Sequence, residues 1–115
     1  METFKIGKVE KEDIKDLIKL TENNDYRVAV FCSTINQVGL ISEKIKSLVE
    51  HSQCEMIKHN PSHYSFHFPN GSDIVVRIPI GNIRGYRFHS IFVDEDVGQK
   101  LVDYCLKPYL TKYKR

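Results

Sequence analysis

The chain has 115 residues, 17 Lys and Arg against 15 Asp and Glu, and 41% hydrophobic residues. That is the size of one domain, with enough apolar content to exclude disorder as the main state and no apolar run near the ~20 residues of a membrane-spanning helix. The N-terminus Met1-Glu2-Thr3-Phe4-Lys5 carries no apolar signal core, and Cys32, Cys54 and Cys105 form no CxxC pair. Reduced thiols and a cytoplasmic location are therefore the expectation.

Ile14, Leu17 and Ile18 recur at helical spacing and predict a first helix over Lys11 to Leu20. Asn23-Asn24-Asp25 breaks it. Val28-Ala29-Val30-Phe31-Cys32 is apolar without alternation, as in a strand covered on both faces. Thr34 with Gln37 three positions on is a capping-box signature. Val38, Ile41, Ile45, Leu48 and Val49 then carry a helix to about Glu50.

Tyr64, Phe66 and Phe68 alternate with Ser65 and His67, and Asp73 to Ile78 is rich in Ile and Val. The turn Pro69-Asn70-Gly71-Ser72 joins these two runs into a hairpin. Pro79, Gly81 and Gly85 bracket an irregular loop. Ile91-Phe92-Val93 is a second buried run, ending in Asp94-Glu95-Asp96. A last helix carries Val97, Leu101, Val102, Cys105 and Leu106 on one face and stops near Pro108. The expected architecture is a single α/β domain over 1–115. It is three-layered, with a mostly parallel sheet between helices and the hairpin appended. Asp94 and Glu95 should sit at the carboxyl end of a central strand, beside the end of Val28–Cys32.

Charge is unevenly spread. Residues 1–26 hold five Lys against seven acids, whereas residues 97–115 hold four Lys and Arg115 against Asp103 alone. A basic tail meets phosphate or an acidic protein surface; Lys beside the carbonyl end of a helix is the simpler account. Arg84 and Arg87 flank Gly85-Tyr86, a grouping suited to phosphate and a stacked base. His63 and His67, four apart in one strand, are spaced too widely to share a metal. Cys32 and Cys105 fall on apolar faces and read as packing residues.

Four motifs in order carry a family likeness. They are Val28–Cys32 leading through Ser33-Thr34 and Asn36-Gln37 into a long helix, Phe68-Pro69-Asn70-Gly71-Ser72, Arg84-Gly85, and Ile91-Phe92-Val93-Asp94-Glu95. Together the stretch from Arg27 to Val97 resembles the ATPase domain of phage terminase large subunits and related helicase-like motors. The likeness implies a RecA-like P-loop nucleotidase fold. It also makes Asp94-Glu95 a Walker B element, with Asp94 holding Mg²⁺ through water beside ATP and Glu95 orienting an attacking water.

The departures shape the functional expectation. No G-x-x-x-x-G-K-[ST] run is present to cradle phosphates. Gly7-Lys8 precedes the first helix, where that loop belongs, but Val9 stands in place of the hydroxyl, and six preceding residues are too few for the loop and its strand. The expectation is a trimmed, degenerate nucleotidase-like domain without ATP hydrolysis of its own. It would bind DNA, a larger motor protein or itself. Arg84, Arg87, Lys112, Lys114 and Arg115 are the candidate nucleic-acid contacts. The rivals are a nucleotide-binding subunit whose phosphate loop comes in trans, with Asp94 and Glu95 serving Mg²⁺, and a purely structural interaction module.

Overall fold

In chain order the elements are β1 (Thr3–Ile6), α1 (Lys11–Leu20), β2 (Arg27–Phe31), α2 (Ile35–Val49), β3 (Glu55–Asn60), β4 (His63–His67), β5 (Asp73–Arg77) and β6 (Ser90–Val93). They come from a computed structural model that describes residues 3–49, 53–78 and 88–94, with side chains from residue 7 onward. The sheet has six strands in the order β1-β6-β2-β5-β4-β3. β6 runs parallel to both β1 and β2, and β2 runs parallel to β5. β5, β4 and β3 pair antiparallel. Among the described residues no helix is long and apolar enough to cross a membrane.

Register explains the two faces. Val28 lies opposite Ile74, and Val30 opposite both Val76 and Phe92. This set meets Ile14 and Leu17 of α1 and Val38, Ile41 and Ile45 of α2 in one apolar cluster. Fully burying such a side chain is worth roughly 1.5–3 kcal/mol, so this layer is a principal source of the fold's stability. Ala29, Phe31, Ile91 and Val93 point to the other face and are also buried. Burial on both faces is why β2 and β6 are apolar without alternation.

The architecture corrects the expected one. A three-layer, mostly parallel, RecA-like sheet is not what forms. The sheet is mixed, its β5-β4-β3 half antiparallel, and both described helices pack on the same face in one cluster. Two strands escaped the sequence pattern. β3 reads Glu-Met-Ile-Lys-His-Asn, and five of its six residues are exposed, so it shows no buried periodicity. β1 is only four residues long. It nevertheless places a strand immediately before Gly7. The last expected helix, from Val97, lies outside the described residues.

Candidate functional site

Three segments meet at the carboxyl ends of β1, β6 and β2. Gly7 N–H donates to the Val93 carbonyl, and Asp94 N–H donates to the Phe31 carbonyl, each at 2.9 Å. Gly7-Lys8, Asp94 and Ser33-Thr34 are thereby neighbours, at the edge where open α/β sheets bind ligands. Asp94 ends a central strand beside β2, at the expected position.

The side chains there bind one another. Asp94 is 4% exposed, and its Oδ2 accepts a hydrogen bond from Gln37 Nε2 at 2.8 Å. Gln37 Oε1 accepts from Ser33 N at 3.0 Å and from Ser33 Oγ at 2.7 Å. Gln37 N donates to Thr34 Oγ1 at 3.2 Å, so Thr34 caps α2 as its sequence predicts. The other half of the capping box is redirected, because the Gln37 side chain turns to Ser33 and Asp94 instead of Thr34 N. Gln37 is thus the pivot of the site. Its signal was in the sequence, but as a cap rather than as a partner of the acidic strand. Burial, and then the Asp94 charge, pushes the Cys32 thiol up to about 12, which makes it a packing residue and no nucleophile.

The phosphate side of the edge is acidic. Only Gly7–Glu10 separates β1 from α1. Asp13 folds back, its carboxylate accepting from Glu10 N at 2.9 Å, and Glu12 shares the first turn. A phosphate needs those first-turn amides and the positive helix end; here carboxylates occupy both. A wider groove of about 700 Å³ beside α1 is lined by Asp13, Asp16 and Glu22, with Lys19 and Phe92, and it too disfavours a polyanion. These residues do not fit Mg²⁺ with a nucleoside triphosphate. Among the described residues no group of three or more His, Cys, Asp or Glu is arranged to hold a metal ion. Glu95, Arg84, Arg87, Lys112, Lys114 and Arg115 lie outside the described residues.

A second cluster sits on the sheet face opposite the helices. β4 points His63, Ser65 and His67 there, beside Arg77 and Asp73 of β5. His59 arrives from β3 where the register shifts between Lys58 and Asn60. Its ring stacks on His63 at 4.3 Å between centroids. His59 Nε2 and His67 Nε2 both contact Ser65 Oγ, at 2.8 and 3.2 Å. Arg27 lies 3.8 Å from Asp73. Burial, with Arg77 and then His59 adding to it, holds His63 down to about 4. Burial raises Asp73, against the opposing pull of Arg27, His67 and His89. Arg27, Asp73, Ser65 and the rings of His59, His63 and His67 wall a groove of about 210 Å³. Sequence spacing showed His63 and His67 on one face, but the stacking of His59 depends on a bulge that spacing does not reveal.

No family model, curated protein or solved structure matches the chain.

One motif of the terminase likeness has a structural account within the chain itself. Gly71 N–H donates to the Phe68 carbonyl at 3.1 Å, and Gly71 takes φ 87°. Asn70 Nδ2 donates to the Thr21 carbonyl at 2.8 Å and to the Asn23 carbonyl at 3.2 Å. Ser72 Oγ donates to the Asn23 carbonyl as well. The Asn-Gly-Ser turn therefore fastens the β4–β5 hairpin to the loop between α1 and β2.

Proposed function

We propose that the chain is a phage-type, terminase- or helicase-like module that binds DNA, or a larger motor protein, without hydrolysing ATP itself. One observation carries the second half of this reading. Asp94, which a motor would present to a Mg²⁺-water shell, is buried and engaged by Gln37, and carboxylates stand at the α1 N-terminus. The first half rests on the four ordered motifs, on Arg84 and Arg87 around Gly85-Tyr86, and on the basic stretch through Lys112, Lys114 and Arg115. A bacterial cytoplasm is the compartment this reading implies. The rival in which a partner supplies the phosphate loop in trans draws on the closeness of Gly7 to Val93.

Nucleotide binding with and without Mg²⁺, measured beside DNA binding in one buffer, separates the readings. DNA affinity should fall as salt rises, because Lys and Arg displace counterions from phosphate. It should also fall in the Arg84→Ala/Arg87→Ala variant. Unchanged affinity in that variant would move the contact to the basic C-terminal stretch. Absence of DNA binding at low salt would remove DNA from the account. ATP turnover that Asp94→Ala abolishes would overturn the claim of no hydrolysis.

A further inference from the structure

The groove opposite the helices is built differently from the carboxyl edge. Its imidazoles converge on a space of about 210 Å³, below the roughly 300–1,000 Å³ of ordinary small-molecule pockets. The Ser65 hydroxyl has one proton and touches two imidazoles, so one ring donates to Oγ and the other accepts from it. The charged groups around it come from four places. β2 supplies Arg27, β5 supplies Asp73 and Arg77, β3 supplies Glu55 opposite His67, and His89 precedes β6. Of these, Arg27 and Asp73 line the groove itself; Arg77 and Glu55 enter as the register partners of His63 and His67.

We infer that this groove, walled by Arg27, His59, His63 and His67, is an anion site for a phosphate group, and that acidification strengthens its occupancy. Size favours a single phosphate group over a nucleotide. An arginine presents a planar fork that matches phosphate oxygens. Arg27 is half exposed and only loosely paired with Asp73, at 3.8 Å, so its guanidinium is accessible to a ligand. His63 is held down to about 4, so its ring takes up a proton as pH approaches that value and then adds positive charge beside Arg27. Asp73 reinforces this sense. Its carboxyl is raised by burial, so it surrenders its negative charge earlier than an exposed aspartate as pH falls. The inference stands apart from the DNA reading, because the chemistry recognised is the phosphate group itself, free or within a phosphodiester.

The test is NMR titration of the whole chain with inorganic phosphate at about pH 7.5 and about pH 4, following the imidazole resonances. Sulfate, whose charge does not change across that range, controls for the titration of phosphate itself. Both anions should shift His59, His63 and His67, with affinity about tenfold tighter at the lower pH. Arg27→Gln should abolish the shifts. Asp73→Asn should tighten sulfate binding at the higher pH, which loss of a purely structural residue would not do. A short single-stranded oligonucleotide distinguishes the source: competition with sulfate assigns the site to a phosphodiester, and its failure leaves free phosphate as the ligand. No histidine shift with either anion at the lower pH, in a chain shown folded there by circular dichroism, would overturn the inference. So would equal affinity at both pH values.

Discussion

The carboxyl edge and the histidine groove hold similar numbers of polar groups, yet they treat them in opposite ways. At the edge, Asp94, Gln37, Ser33 and Thr34 form a chain of hydrogen bonds directed inward, and the acid is almost fully buried. In the groove, three imidazoles and Arg27 face a common space, with Asp73 in its wall. The first arrangement stabilises a fold; the second leaves charge to respond to solution. A strand-end acid is therefore a poor guide to catalysis until its partners are known.

Four measurements would break or sharpen that contrast. The largest effect should come from Asp94→Ala. It leaves the half-buried Gln37 amide without its acceptor, and loss of a hydrogen bond to a charged group costs up to about 3 kcal/mol. Urea unfolding checks this; a change below about 1 kcal/mol would mean that the acid is not structural. Gly71→Ala comes next. The site has φ 87°, and a Cβ there runs into the Asp25 side chain, so the cost should be about 2 kcal/mol. Thermal unfolding gives the value, and wild-type stability would show that the turn is not fastened as described.

The third concerns pH. His63 is held down to about 4 in the folded chain against an ordinary 6.5. Between those values the unfolded chain binds more protons at this position, so stability rises with pH. The contribution is complete above 6.5 and is lost as pH falls toward 4. His63→Gln should flatten that dependence, and an unchanged slope would assign it to other groups. The smallest effect is expected from Arg27→Ala. Its pairing with Asp73 is long and half exposed, so stability should change by less than about 1 kcal/mol, although anion binding is lost.

Elements with strong burial periodicity were legible in the sequence. Lys11–Leu20 has matching bounds in both readings, and α2, β2, β4, β5 and β6 lie within a residue or two of expectation. Apolar residues at a regular period leave a mark on the sequence because one face must avoid water. β3 left none. It lies at the sheet margin with exposed side chains, and only pairing with β4 makes it a strand. Layering was illegible for a related reason: burial of Phe31, Ile91 and Val93 shows that they are covered, not by what. The site was half legible. Asp94 stood out by type and position, whereas Gln37 was disguised by its role as a helix cap. The groove was missed because His59 reaches it through an irregular register.

The position of β6 also bears on the order in which the chain can assemble. β1 and β2 are joined by α1 but do not touch; β6, some 60 residues downstream of β2, separates them. During synthesis, β2 emerges and can gain β5 on one side, while its other margin stays unpaired until residues 90–93 appear. Closing so long a loop precedes any reward from the pairing, which makes it a slow event. Until then a strand of five mostly apolar residues presents a bare edge, the kind of surface that recruits other chains. Insertion of β6 is thus the step that removes this edge, between β1 and β2.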